Sequence, residues 1–195
     1  MEGKAGRKAE YRSAIRSRRL IREAYTALLK EKELSKITVT DIVNRADINR
    51  ATFYAHYPDV RGVTEEIENE IIAKMLEVLK KFEFTNFFGN PAPLLLQLSR
   101  YLEEDAEFYR ILIKANGSEM FMEKLKKVFT DYMLNSSDIP DEMRHSKMVR
   151  LRVCYFAGGI VNLYKQWFRG DLDCTLNDIA MEVSKLLQLE AKELF

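Results

Sequence analysis

The stretch from Thr38 to Tyr57 reads TVTDIVNRADINRATFYAHY and is closed by Pro58. It restricts the fold more than any other part of the chain. Val39, Ile42, Val43 and Ala46 recur at i, i+3, i+4 and i+7, a spacing that predicts a short helix with one buried face. Thr38, with Asp41 three residues on, is a capping-box-like start for it. The chain then has to turn at Ala46-Asp47-Ile48-Asn49. Asp47 tolerates a left-handed conformation, Ile48 can plug the angle between two helices, and Asn49 is a good N-cap. A second helix opens at Arg50, with Phe53 and Tyr57 four apart on its inward side. Pro58 ends it, because proline donates no backbone hydrogen bond and restrains the residue before it.

This arrangement turns Arg50, Thr52, Tyr54 and His56 outward. Hydroxyls and cations suit phosphates, a guanidinium suits guanine edges, and aromatic or methyl surface suits thymine. The second helix therefore carries the mixture that a major-groove helix needs. Lys36, Thr38 and Thr40 lie near the start of the first helix, where hydroxyls and backbone N–H groups can grip a phosphate.

The segment from Ile37 to Asp59, and above all Arg50-Ala51-Thr52-Phe53-Tyr54-Ala55-His56-Tyr57, resembles the DNA-binding domain of TetR-family transcriptional regulators, whose recognition helix ends in T-x-Y-x-H-aromatic. The resemblance implies an N-terminal three-helix DNA-binding domain with a helix-turn-helix, followed by a C-terminal helical domain for ligand binding and dimerisation. In one respect this chain departs from the pattern. The family usually has a lysine near the start of the next helix, whereas Val60 stands here, with Arg61 beside it as the replacement phosphate contact. The expected DNA-binding residues are Thr38, Thr40, Asn49, Arg50, Thr52, Tyr54, His56, Tyr57 and Arg61.

Charge divides the chain at the same place. Residues 1–57 hold 13 Lys and Arg against 7 Asp and Glu, whereas the remainder holds 18 against 23, so a net charge of +1 conceals a head of +6 and a body of −5. A basic head suits a polyanion. Residues 1–12 are basic, contain Gly3 and Gly6 and show little periodicity. They read as a flexible arm, either reaching DNA phosphates or the minor groove, or making no contact.

Elsewhere every periodic segment is helical, so the fold class is all-α. A first helix from Ser13 to about Glu33 carries Leu20, Ile21, Ala24, Tyr25, Leu28 and Leu29 as one stripe. Asp59 should cap a long helix running to about Phe82, which links the head to the body. Glu83 to Pro93 reads as a loop with aromatic anchors, and Asn135 to Pro140 as a polar linker. Between them, helices are expected from Pro91 or Pro93 to about Glu104, after Asp105, and after Asn116-Gly117-Ser118. Two long helices, from about Asp141 to Arg169 and from Thr175 to about Lys192, follow. The domain boundary is expected at Pro58, giving a DNA-binding domain over 1–58 (helix-turn-helix about 39–57) and an effector-binding and dimerisation domain over 59–195.

The last two helices are apolar on broad faces, as in bundles formed across a two-fold axis. Gly158 and Gly159 in mid-helix either admit the close approach of another backbone or relieve crowding within one subunit. The expected dimer contacts are Gly158, Val161, Ile179, Val183, Leu186 and Leu187. Placing the interface on these helices is also what the TetR resemblance implies. Seven of eight methionines and most aromatics follow residue 57, and such side chains fill irregular cores or line adaptable pockets. Phe82, Tyr101, Phe108, Tyr109 and Leu112 are candidate ligand-binding residues, together with Phe121, Met122, Phe156 and Asn162. The region from Tyr101 to Leu125, with Gly158 to Trp167, is also similar to the subgroup containing regulators of dihydroxyacetone kinase operons, some of which act with a protein partner.

The expected function is that of a homodimeric repressor that binds a palindromic operator in double-stranded DNA and is released by a small-molecule effector. The alternative is an activator of the same fold working with a protein co-regulator. No Ser/His/Asp set, metal-ligand cluster or phosphate-binding glycine loop is evident, so neither enzymatic activity, nor a metal, nor a cofactor is expected. No apolar run approaches the roughly 18 residues of a membrane span, and the first residues lack the apolar core of a secretory signal. The cytoplasm is the expected compartment.

Overall fold

The computed structural model describes residues 2–81, 90–114, 118–135 and 145–194. Among these there is no strand, and the helices are α1 (Glu2–Glu31), α2 (Val39–Ala46), α3 (Arg50–Tyr54), α4 (Val60–Leu79), α5 (Ala92–Glu103), α6 (Ala106–Lys114), α7 (Ser118–Leu134), α8 (Lys147–Arg169) and α9 (Leu176–Leu194). A 3-10 turn, Leu34–Lys36, joins α1 to the approach of α2. No helix of the described residues is long and apolar enough to cross a membrane. The chain divides into two compact units, Met1–Asn69 and Glu70–Phe195.

In the first unit α1 packs on α2 and α3, and α2 on α3. Its core is built from the predicted stripes: Ile21, Tyr25 and Leu28 of α1 are buried with Ile42 and Val43 of α2 and with Phe53 and Tyr57. The unit continues past Pro58 because the first half of α4 is packed as firmly as the rest. Val63 is fully buried, and Thr64 Oγ1 shares a buried 2.6 Å hydrogen bond with the Tyr25 hydroxyl. Where the sequence reading placed a boundary at Pro58, the compact units therefore divide inside α4. The expectation of a flexible arm over residues 1–12 is also corrected, since α1 starts at Glu2. Lysine, arginine, glutamate and alanine are strong helix formers, and Gly3 and Gly6 cost only about 1 kcal/mol each against alanine.

In the second unit α8 is the central element, contacting α6, α7 and α9, and α5 lies along α9. Ser99 of α5 is fully buried and ties two further helices to its own: its hydroxyl meets Tyr164 Oη at 2.9 Å and donates to the Leu176 carbonyl at 3.2 Å. Gly170 closes α8 with φ +86, a left-handed cap that glycine enters without a Cβ penalty. Thr175 and Asp178 open α9 with a reciprocal pair of hydrogen bonds. The N-terminal start of α8 is later than expected, with Ser146 as its cap. The proposed linker and the Asn116-Gly117 break fall largely outside the described residues.

Candidate nucleic-acid interface and ligand cavity

The turn between α2 and α3 is built by local hydrogen bonds. Thr38 Oγ1 accepts from the Asp41 N–H while the Asp41 carboxylate accepts from the Thr38 N–H, so both halves of the capping box are present. Asp41 also pairs with Lys32 at 2.7 Å. The Lys32 ammonium first, and then Thr38, hold this carboxyl down to about 2. Asp47 ends α2 in the left-handed region with φ 51. The side-chain oxygen of Asn49 then caps α3, accepting from the Thr52 N–H at 2.7 Å and from the Thr52 hydroxyl at 2.9 Å. Regular α-helix stops at Tyr54, three residues short of expectation, but the Ala55, His56 and Tyr57 N–H groups continue to donate to Ala51 and Phe53 carbonyls through the turn.

On the outer surface of this motif, Arg50 and Tyr54 are exposed, Tyr54 by 53%. The Arg50 guanidinium donates to Thr40 Oγ1 at 2.6 Å, which joins the two helices across their outer faces. Thr40 is exposed too, and Thr52 is half-buried. Thr38 and Asn49 are exposed, but their side chains are spent on capping. Arg61 is exposed on α4 and pairs with Glu65 at 2.8 Å. His56 faces α1 more than the sequence reading placed it: it is half-buried, with Nε2 at 2.7 Å from the Ser17 hydroxyl.

Tyr57 is a correction to the list of DNA contacts. Only 3% exposed, its ring packs beside Phe53, and its hydroxyl accepts from Arg18 Nε at 3.4 Å. Burial pushes that hydroxyl up to about 12. Arg18 in turn pairs with Glu66 of α4 at 2.9 Å. Tyr57 therefore braces the end of the reading segment against α1 and α4, out of reach of a nucleic acid, because the inward position it shares with Phe53 leaves no outward surface.

Within the second unit lies a cavity of about 80 Å³, lined by α4 from Ile71 to Leu79 and by parts of α5, α6, α7 and α8. Of the expected ligand residues, Tyr109, Phe121 and Met122 line it. Phe108 and Leu112 are buried elsewhere in the core, Asn162 is exposed, and Phe156 packs edge-on against Tyr155. Tyr101 sits behind Tyr109, ring centroids 6.2 Å apart, and does not reach the cavity. Phe82 lies outside the described residues. The sequence reading missed the leucines of α5, Leu94, Leu95 and Leu98, and the second half of α4, although both carry plain helical stripes.

The expected dimer residues are redistributed as well. Ile179, Val183 and Leu187 are buried within the subunit and offer no surface to a second chain, whereas Val161 is half-buried and lines the cavity. Leu186 is 48% exposed. The helices show a second apolar face that the reading passed over: Met148, Leu151 and Tyr155 of α8 and Met181 and Leu189 of α9 are all exposed. Met148, Leu151, Tyr155, Gly159 and Asn162 share one side of α8, opposite Val149, Val153, Ala157 and Tyr164. A Cβ on Gly158 or Gly159 would meet nothing within 4 Å, so neither glycine relieves crowding inside the subunit.

Residues 89–189 match a family described as a transcriptional regulator C-terminal region, TetR_C_8. Over 113 residues the chain is 26% identical to the HTH-type dhaKLM operon transcriptional activator DhaS of Lactococcus lactis, a match covering 57% of each protein. A solved structure of a dihydroxyacetone kinase operon activator DhaS is 21% identical with a TM-score of 0.62, over 91% of this chain and 97% of that one. A TetR transcriptional regulator from Streptococcus agalactiae is 17% identical with a TM-score of 0.66, over 92% and 98%. At these identities the structures are alike in fold.

Proposed function

Since the chain belongs to the TetR family of transcriptional regulators, we propose that it is a homodimeric repressor that recognises a palindromic operator in the cytoplasm and is released by a small-molecule effector. The observation that carries the DNA-reading part is the surface formed by Thr40, Arg50, Thr52 and Tyr54, held by a capped turn. Arg50 reads a base edge, with Thr52 and Tyr54 at bases or the sugar-phosphate backbone. Thr38, Thr40, Asn49, His56 and Arg61 position the head, the phosphates being met by hydroxyls, backbone N–H groups and the Arg61 guanidinium.

Dimerisation rests on the outward face of α8 and α9. Leu151, Tyr155, Leu186 and Leu189 would be covered by the same residues of a second chain, and the open space over Gly158 and Gly159 lets two backbones approach. Two-fold symmetry sets paired reading helices about 34 Å apart, one turn of the duplex. The cavity supports an effector site. α4 contributes Val63 to the core of the head and Ile71 and Met75 to the cavity wall, so a ligand that binds two states of the cavity unequally acts on the helix that also builds the head.

Fluorescence anisotropy with duplexes carrying the palindromes that flank the gene, set against scrambled duplexes, tests this reading. Selective binding by two chains per site, weakening steeply with salt, is the expected result, and equal binding to both duplexes rejects it. In a second reading the chain is an activator working with a protein co-regulator; its activator half is favoured by the similarity to the L. lactis relative, which is a transcriptional activator. Deleting the gene raises reporter transcription from the operator promoter if the protein represses, and lowers it if it activates.

A further inference from the structure

The cavity in the second unit has a lining that identifies the chemistry of its occupant. Among its described wall residues Lys165 alone carries a charge, and its ammonium is held at 2.6 Å by Glu119 of α7. Of the two tyrosines at the wall, Tyr164 has its hydroxyl bonded to the buried Ser99, and the Tyr109 ring packs beside that of Tyr101. The remaining wall is leucine, isoleucine, valine, methionine, phenylalanine and alanine. The described wall is almost wholly apolar, so a polar group that a ligand buries here loses its water with little to replace it.

Resting on the effector reading above, we propose that this site takes a small uncharged apolar molecule, of aromatic or short hydrocarbon character, and rejects carboxylates and polyols. At about 80 Å³ the cavity is smaller than the roughly 150 Å³ apolar cavity, known from another protein, that stays dry and binds benzene or xenon. Met75 and Met122 stand in its wall, and their unbranched, flexible side chains let it widen around a ligand. Each methylene added to a fitting ligand should tighten binding about fourfold until the space is filled.

The test uses the full chain without DNA, labelled with ¹³C at the methionine methyls, with Met75→Leu and Met122→Leu assigning the two signals. Benzene, toluene and ethylbenzene are titrated beside benzoate and glycerol. Saturable shifts at Met75 and Met122 with the hydrocarbons are expected, with benzoate and glycerol weaker on the order of 100-fold or more. Leu125→Phe, which fills the cavity from α7, and Ala157→Val, which fills it from α8, should abolish the shifts while circular dichroism stays helical. Benzoate binding as tightly as benzene, glycerol binding at this site, no hydrocarbon shift, or shifts that survive in a folded filled variant each overturn the proposal. None of these outcomes bears on operator selectivity, which the duplex titration judges separately.

Discussion

Arg50, exposed, and Asp41, half-buried, show how two charged side chains on the same motif do different work. Arg50 is aimed by a single hydrogen bond to Thr40. Replacing it by alanine should weaken binding to the specific duplex by about 1–3 kcal/mol and relax preference at one base position, if the guanidinium is bidentate to guanine. Anisotropy against a panel of single-base operator variants measures both. Asp41 instead ties the capping box to Lys32, and its carboxyl is held down to about 2. The folded chain therefore keeps this group charged where the unfolded chain takes up a proton. Its contribution is complete above about pH 4 and is lost as pH falls toward 2. Melting temperature followed from pH 6 to pH 2 should fall more steeply across that window in the native protein than in Asp41→Asn. Parallel curves would remove Asp41 from the account.

At the scale of elements, the head is a set of helices cross-braced by a few polar contacts over an apolar core. The Tyr25–Thr64 pair joins α1 to α4 in the interior, and burial pushes the Tyr25 hydroxyl up to about 12. Tyr25→Phe removes this bond, leaving the Thr64 hydroxyl its 3.2 Å bond to the Val60 carbonyl, and should destabilise the head by about 0.5–1.5 kcal/mol in urea unfolding. The double variant Tyr25→Phe/Thr64→Val should recover much of that loss, because both polar groups are then gone. At the far end, Ser17 meets His56, while Arg18 bonds both Tyr57 and Glu66. These contacts join α1, the reading segment and α4, and they make α1 a scaffold as well as a basic helix.

For the whole molecule, the proposed dimer rests on the exposed face of α8 and α9. Tyr155, 77% exposed, is the largest apolar side chain on that face. Tyr155→Glu should yield a folded monomer by analytical ultracentrifugation, with operator binding lost because the two heads are no longer tied. The glycines give a sharper test. Gly159→Ala removes a helix-weakening residue where a Cβ meets nothing, so monomer stability should rise by about 0.5–1 kcal/mol while the dimer dissociates more readily. An unchanged dimer constant would place the interface elsewhere.

Much of the head was legible because its determinants are local. Thr38, Asp41, Asp47 and Asn49 cap and turn the chain through hydrogen bonds to residues three or four positions away, and that chemistry holds wherever the segment is placed. The all-helical class followed from periodicity for the same reason. The inward or outward sense of α8 and α9 did not. Apolar residues occur on more than one side of each helix, so spacing alone could not tell the buried Ile179 and Val183 from the exposed Leu189. Nor could the sequence choose which aromatics border the cavity, since a void is what remains after helices distant in sequence have packed. Tyr109 and Phe121 meet it, whereas Phe108, next to Tyr109, is turned into solid core. Local hydrogen bonding settled the turn, and long-range packing settled which faces are left to bind something else.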